Sequence, residues 1–352
     1  MSVFSSVHFN NHEEVVFCRD ADTGLNAIIA VHDTTLGSGL GGCRFWDYGS
    51  EEEALTDALR LSRGMTYKAA LARTGRGGGK SVIMGDPRKL ATPDLFRAMG
   101  RFVEGLGGSY IIAEDVGTSP KDMAFVREST RHVAGLEGAS GDPSPATAHG
   151  VFVGIKASLG HIYGSGRLSG VRVAVQGLGH VGWDLCRQLH EADARLVVAD
   201  IRADVVEKAV RTFGARAVSV DEVHAADVEV FAPCALGGVI NDETLPGLKA
   251  RIVAGSANNQ LAEDRHGDRL ADKGVLYAPD YVINAGGIIN IAHEGDAYDR
   301  DAAFRHVAGI EKTLADLFVR SENEGVAPHR MADRMAQEVI AAARTGAGRM
   351  AA

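Results

Sequence analysis

Cysteine is scarce in this chain, with four residues in 352, at positions 18, 43, 186 and 234, and no CxxC pair. That spacing excludes a dense disulfide framework; Cys18, Cys43, Cys186 and Cys234 read as reduced, packed thiols of a cytoplasmic protein. The thirteen histidines form neither HExxH nor a Cys/His cluster, so no metal site is expected. Basic blocks are missing as well, and the net charge is −9. Neither nucleic acid nor an anionic membrane is therefore an expected partner. No apolar run approaches the length of a membrane span, and the first thirty residues carry charges throughout, unlike a signal peptide. Repeats and low-complexity tracts are absent. What is present is 45% hydrophobic residues, ample for packed cores in about two domains.

The most informative segment runs from Gly64 to Lys80. Lys68 and Lys80 stand twelve residues apart, and Gly77-Gly-Gly precedes the second. That spacing can bring two ammonium groups into one cleft, where mutual repulsion and partial burial leave one neutral enough to act as a base. The rival is a phosphate-binding loop ending Gly79-Lys80-Ser81. Its pattern needs glycine at position 74, which is Thr, and its lysine opens a helix. Here Ser81-Val-Ile-Met reads as a short strand ended by Gly85-Asp86-Pro87; the bland alternative for the segment before it is a glycine-rich turn with a solvated lysine. Ser50 and Glu53 read as a capping box opening a helix. If that helix runs on, Leu61, Met65 and Lys68 share one inward face.

Further strands are predicted at Glu14–Cys18 and Leu25–Val31. From Pro143 the pattern changes: a turn-rich stretch to Gly150 leads into an apolar helix, Val151 to Leu159. Strand and helix then alternate, with strands at Val171–Gln176, Arg195–Asp200, Val228–Phe231, Arg251–Ala254 and Val275–Tyr277. This predicts a doubly wound parallel sheet. Between the first two of those strands lies Gly177-Leu178-Gly179-His180-Val181-Gly182. It follows a strand, opens a helix, and Asp200 closes the next strand, which is the full context of a dinucleotide turn. Gly177 permits the tight turn, Gly179 admits a pyrophosphate to the backbone, and Gly182 lets helix and strand approach. Asp200 would bond the ribose 2′-hydroxyl and repel a 2′-phosphate, selecting NAD over NADP. Arg202 is the one feature that softens that preference. After Tyr298 the tail is helical and charged, with a hinge expected near Glu322–Gly325.

Taken together, these motifs resemble the Glu/Leu/Phe/Val dehydrogenase family, and most of all its leucine-specific members. The likeness includes Gly41-Gly-Cys-Arg44, Asp57 through Lys68, Gly77 to Lys80, Ala113-Glu-Asp-Val-Gly117, Ala254 to Gln260 and Tyr281 to Gly287. It implies an α/β fold of two domains. An N-terminal substrate and oligomerisation domain would span 1–133, joined by 329–352, with the C-terminal helix packing back on it. A Rossmann NAD domain would span 134–328. The implied reaction is reversible, NAD-dependent oxidative deamination of an L-amino acid to a 2-oxo acid and ammonia. Lys68 would pair with the substrate carboxylate, Lys80 would activate water as acid and base, and Asp115 would exchange protons with the amino group. The plainer alternative for Asp115 is a cap on the helix that starts near Ser119. The backbone of Gly41 and Gly42 and the amide of Asn284 would fix the carboxylate and the carbinolamine. The cofactor domain would use Thr147, Cys234, Ala235 and Asn258, with Cys234 a packed neighbour, and Arg44 at the phosphates or the site rim. The resemblance also implies a homo-oligomer, an octamer or a dimer.

By motif order, the positions that hold a glutamate side chain fall at Leu40 and Ile291, both aliphatic. A buried, unpaired carboxylate costs several kcal/mol, which excludes glutamate. Leu40, Met65, Ala113, Ile288 and Ile291 would line an apolar pocket suited to Leu, Val or Ile. Isoleucine at the last two, where valine is usual, would shorten it. The alternatives are an aromatic substrate, Phe or Trp, and a non-catalytic NAD-binding sensor. His180, Asp142 and Gly295-Asp-Ala depart from the family pattern, the last near the pocket mouth.

Overall fold

A computed structural model describes residues 3–136, 141–294 and 298–346. Its contacts divide the chain into two compact units. The first comprises Met1–Gly141, Ile291–Asp299 and Ala336–Ala352; the second comprises Asp142–Asn290 and Arg300–Met335. The sequence boundaries at 133/134 and 328/329 divide the chain otherwise: 134–141 and 291–299 fall in the first unit and 329–335 in the second.

The first unit is built in the order β1 (Glu14–Asp20), β2 (Leu25–Asp33), β3 (Gly39–Trp46), α1 (Glu51–Leu71), β4 (Gly77–Met84), α2 (Pro87–Leu90), α3 (Pro93–Gly105), β5 (Tyr110–Glu114) and α4 (Pro120–Arg127). Its sheet has the order β1-β2-β4-β3-β5. β1 and β2 pair antiparallel, as do β2 and β4, whereas β3 is parallel to both β4 and β5. β2 alternates its side chains between two covered faces, as period-two geometry requires. Ile28 and Ala30 pack with Ala54, Leu55, Ala58 and Leu59 of α1. Ala27, Ile29 and Val31 pack with Leu95, Phe96 and Met99 of α3. Helix α1 starts at Ser50, whose side chain accepts from the Glu53 amide at 3.2 Å. The expected capping box is only half made, because Glu53 Oε2 reaches one residue further back and accepts from the Gly49 amide at 2.9 Å.

The second unit contains α5 (Ser144–Tyr163), β6 (Arg172–Gln176), α6 (His180–Glu191), β7 (Arg195–Ala199), α7 (Ala203–Phe213), β8 (Arg216–Ala217), β9 (Val230–Pro233), β10 (Ile252–Val253), α8 (Asp264–Asp272), β11 (Leu276–Tyr277) and α9 (Asp280–Ile283). The remaining helices are α10 (Gly286–Ala292), α11 (Arg300–Glu324) and α12 (Pro328–Arg344). The sheet order β11-β10-β9-β6-β7-β8, parallel throughout, is that of a doubly wound Rossmann fold. Helix α5 begins at Ser144, so the stretch to Gly150 is helical and not a turn-rich lead-in. Pro145 is tolerated because the amide it lacks would have no helical partner in the first turn. Gly325, at φ +64°, separates α11 from α12, but both sides of this break lie inside the second unit. The last residues of α12 belong to the first unit, where Gln337 donates to the Tyr67 hydroxyl at 2.9 Å and Arg344 pairs with Asp33.

Beneath α1 the first unit buries two histidines whose rings meet edge-on at 4.8 Å. His12 Nε2 lies 3.0 Å from both the Leu59 carbonyl and Ser62 Oγ, and His32 Nδ1 lies 2.8 Å from Thr66 Oγ1. Burial first, then the nearby His12, push His32 down from 6.5 to about 4. The folded protein thus keeps His32 neutral where the unfolded chain protonates it. Its contribution to stability is complete above pH 6.5 and is lost as the pH falls from 6.5 towards 4. Thermal melts across that window should show a loss of roughly 3 kcal/mol in the parent protein that is absent from His32→Gln; equal slopes would remove His32 from the account.

Candidate active site

Strand β4 carries Lys80, which is 6% exposed. Its Nζ lies 2.6 Å from Oδ2 of Asp115, just past the end of β5. The loop that presents Asp115 is pinned to β3. The Asp115 amide donates to Thr118 Oγ1 at 2.9 Å, and that hydroxyl donates to the Cys43 carbonyl at 2.9 Å. Gly117 sits at φ +81°, where a Cβ would stand 2.0 Å from the Phe45 carbonyl oxygen. Helix α4 is capped by Ser119 in a box with Asp122, so capping does not occupy Asp115. Burial alone would raise the Asp115 carboxyl, but the Lys80 ammonium and the Arg44 guanidinium together hold it below the usual carboxylate range. Arg44, expected at the phosphates or the site rim, spends its guanidinium inside the first unit, beside Asp115. Its Nε lies 3.2 Å from Asp115 Oδ2 and its Nη1 2.7 Å from Asp57 Oδ2.

The three glycines before Lys80 are strand residues, not a turn. Each is glycine because the backbone is crowded from a different side. A Cβ on Gly77 would stand 2.1 Å from the Asp33 carbonyl oxygen, on Gly78 2.1 Å from the Thr66 amide of α1, and on Gly79 2.5 Å from the Tyr110 ring. Tyr110, fully buried, donates to the Gly41 carbonyl at 2.8 Å and lies 3.0 Å from Ser81 Oγ, tying β3, β4 and β5 together next to Lys80. Gly41 and Gly42 are crowded likewise, by the Gly79 carbonyl and by Asp115 Cβ. Leu40 and Ala113 are buried close by in register, Leu40 opposite Ile111 and Gly42 opposite Ala113. The face of α1 that packs on the sheet carries Ala58, Leu59, Ser62, Thr66, Ala69 and Ala70. Leu61, Met65 and Lys68 are therefore on a half-buried flank and do not point into the core as expected. Ile291, half-buried, also belongs to the first unit.

In the second unit the glycine turn has the form its spacing predicts. Gly177 is at φ +94°, and Gly182 packs so tightly that a Cβ would stand 2.0 Å from the Gly177 oxygen. A Cβ on Gly179, the N-cap of α6, would meet nothing within 4 Å, which leaves the backbone open at the end of a helix dipole. These residues fit a dinucleotide pyrophosphate. Val181 is half-buried in the first turn of α6. Asp200 accepts from the Leu178 amide at 2.6 Å and from the Arg202 amide at 2.9 Å. The Arg202 side chain folds back, its Nε 3.3 Å from Asp200 Oδ1 and its Nη2 donating to the Leu178 carbonyl at 3.3 Å. His180 is exposed, 4.0 Å from Asp142; Gly295-Asp-Ala lies outside the described residues.

Asn284 is buried and donates to the Ser256 carbonyl at 3.0 Å and to Asn258 Oδ1 at 2.8 Å. Its own Oδ1 is buried without a partner. Ala235 abuts Gly177, Thr147 abuts Gly287, and Ile288 is buried. Burial raises the Cys234 thiol, which suits a packed neighbour rather than a nucleophile. Among the described residues, Asp242, Glu263 and His266 are close enough to share an ion. The donors are committed elsewhere: Arg265 and Arg269 hold Asp242, and His266 Nδ1 accepts the Glu263 amide, which leaves the ring proton on Nε2. Sequence reasoning missed Asp57, Tyr48 and Thr118, although Asp57 opens one of the motifs it quoted.

A buried lysine paired with a half-buried carboxylate on one sheet, and an open glycine turn on a doubly wound sheet, define a two-unit α/β dehydrogenase. The dimerisation-domain profile of the Glu/Leu/Phe/Val dehydrogenases matches residues 12–132, and the Glutamate/Leucine/Phenylalanine/Valine dehydrogenase profile matches 200–347. The chain is similar to leucine dehydrogenase of Geobacillus stearothermophilus, 52% identical over 97% of this chain and 94% of that one. It is 46% identical to phenylalanine dehydrogenase of Bacillus thermotolerans over 95% and 89% of the two chains. The crystal structure of L-tryptophan dehydrogenase from Nostoc punctiforme superposes with a TM-score of 0.85 at 48% identity, covering 95% of this chain and 97% of that one. The chain belongs to the Glu/Leu/Phe/Val dehydrogenase family and is an amino-acid dehydrogenase.

Because α1 and β4 touch through Gly78, Gly78→Ala should lower the melting temperature by an amount equivalent to about 3 kcal/mol. Gly64→Ala, where a Cβ meets nothing within 4 Å, should stabilise by up to about 1 kcal/mol; the reverse ranking in thermal melts would refute the contact.

Proposed function

We propose that this enzyme catalyses reversible NAD-dependent oxidative deamination of an apolar L-amino acid, branched-chain by preference, to the 2-oxo acid and ammonia. The observation that carries the reading is the contact of buried Lys80 with half-buried Asp115, 2.6 Å from nitrogen to oxygen. A proton can pass along such a contact without solvent, which interconverting an amine and a carbonyl demands. Lys68 pairs with the α-carboxylate, and the backbone at Gly41 and Gly42 supports it. Lys80 activates water against the iminium carbon and protonates in the reverse direction. Asp115 exchanges protons with the amino group and the departing ammonia. The unpartnered Oδ1 of Asn284 is an acceptor available to the amine or carbinolamine. NAD, when bound, takes up and returns the hydride; Gly177–Gly182, Asp200, Thr147, Cys234, Ala235 and Asn258 hold it. Arg202 is already engaged with Asp200 and Leu178, which supports NAD over NADP. The enzyme acts as a homo-oligomer, octamer or dimer, in the cytoplasm; among the described residues no helix is long and apolar enough to cross a membrane.

Leu40, Met65, Ala113 and Ile291 of the first unit, and Ile288 of the second, are all apolar, which supports an apolar substrate. Relatives named leucine dehydrogenase, at 50–52% identity, favour Leu, Val and Ile. A second reading, Phe or Trp, has the support of the 48% identical tryptophan dehydrogenase.

With ammonia and NADH, 4-methyl-2-oxopentanoate and 3-methyl-2-oxobutanoate should oxidise NADH faster than phenylpyruvate or indolepyruvate. The opposite order transfers the proposal to aromatic substrates, and no turnover with any of them ends it. Asp200→Ser should narrow the kcat/KM preference for NADH over NADPH about tenfold, the worth of one charge-assisted hydrogen bond. An unchanged ratio would take coenzyme choice away from Asp200.

A further inference from the structure

We propose that Arg44 is a positioning residue for the reaction: it shares the Asp115 carboxylate oxygen with Lys80, and Asp57 and Tyr48 hold it from behind. The inference rests on the function proposed above. Oδ2 of Asp115 receives both Lys80 Nζ, at 2.6 Å, and Arg44 Nε, at 3.2 Å. The other end of the same guanidinium donates to Asp57 Oδ2 at 2.7 Å, and the Tyr48 hydroxyl donates to that oxygen at 2.7 Å. The five side chains form one chain of hydrogen bonds across β4, β5, β3 and α1. Their side chains are neither sealed nor loose; Arg44, Asp57 and Asp115 are 22–28% exposed. A groove of about 790 Å³, lined in part by Arg44, Trp46, Tyr48, Asp57 and Val116, opens the outer side of the bridge.

The chemistry explains why a permanent cation belongs there. Lys80 must change charge within each turnover. When it gives up its proton, a half-buried Asp115 with no other counter-ion would reclaim a proton from the nearest donor and stop serving as acceptor. A guanidinium does not deprotonate in proteins, so Arg44 keeps Asp115 ionised in both states of Lys80. Asp57 draws off part of that positive charge, and so keeps Asp115 able to take a proton from the amine. The titratable groups around Asp115 are Lys80 on β4, Cys43 and Arg44 on β3, and Tyr110 on β5. Tyr48 and Asp57 act through Arg44. Cys43, Tyr48 and Tyr110 are all raised above their ordinary values, burial being the first cause, and stay neutral. The charges that move Asp115 are thus Lys80, Arg44 and, at one remove, Asp57.

The test is a carbon-13 titration of the Asp115 carboxyl in aspartate-labelled full-length protein, with the resonance identified by Asp115→Asn. Arg44→Gln should raise its proton affinity about tenfold, and Asp57→Asn should lower it. Arg44→Lys should recover only part of the loss, because an ammonium cannot bridge two carboxylates in a fixed fork. The acid limb of kcat/KM for the preferred 2-oxo acid should move in the same two opposite directions. Shifts of one sign in both variants, or none in either, overturn the proposal. Should Arg44→Gln fail to fold, Asp57→Asn decides alone by the direction of its shift. If no 2-oxo acid is turned over, the catalytic reading fails while the carboxyl titration still reports on the bridge.

Discussion

The first unit depends on one close approach: the backbone of β4 at Gly78 against helix α1 at Thr66, where there is no room for a methyl group. Thr66 also takes His32 Nδ1 at 2.8 Å, so the same turn of helix is anchored to β2. Lys68 lies two residues beyond Thr66, and Lys80 two beyond Gly78. Their relative position is therefore set by packed backbone and not by flexible side-chain stems, which is what a reaction sensitive to small displacements requires. On the opposite side of β4, the Tyr110 ring against Gly79 and its bonds to Gly41 and Ser81 stop the strand from sliding.

From that scaffold the electrostatics follow. Burying Lys80 would be costly alone, and Asp115 relieves the cost at a distance of 2.6 Å. Asp115 in turn would resist ionisation by burial, and two cations reverse that. The second of them, Arg44, is itself balanced by Asp57. The result is a run of alternating charges in which every buried member has a partner. In the second unit the logic is different: Gly179 leaves the backbone bare at a helix N-terminus, where the charge to be met would come from a ligand.

Much of this was legible in the residues, and the failures have physical reasons. The turn at Gly177 was readable because strand, glycine spacing, helix and Asp200 all agreed over a short stretch. The strand expected from Ser81 starts at Gly77, because three successive glycines carry no local strand preference. Their actual cause is the nearness of α1 and Tyr110, which no local pattern reports. β3 (Gly39–Trp46) and β5 (Tyr110–Glu114) escaped notice as strands. The first carries three glycines, and both strands owe their place to pairing with distant strands. The helical start at Ser144 was hidden by two prolines. The glycine and lysine motifs could be picked out in advance, but the engagement of Arg44 by Asp57 needed the register of β3 against α1.

In the proposed reaction one rigid contact fixes two lysines with separate duties, Lys68 for binding and Lys80 for proton transfer. Steady-state kinetics of Lys68→Met and Lys80→Met on the same 2-oxo acid test it directly. Lys68→Met should raise KM for the 2-oxo acid by at least about tenfold, while Lys80→Met should lower kcat by about a hundredfold or more with NADH binding retained. A Lys80→Met enzyme that keeps its kcat, or a Lys68→Met enzyme that keeps its KM, would contradict it.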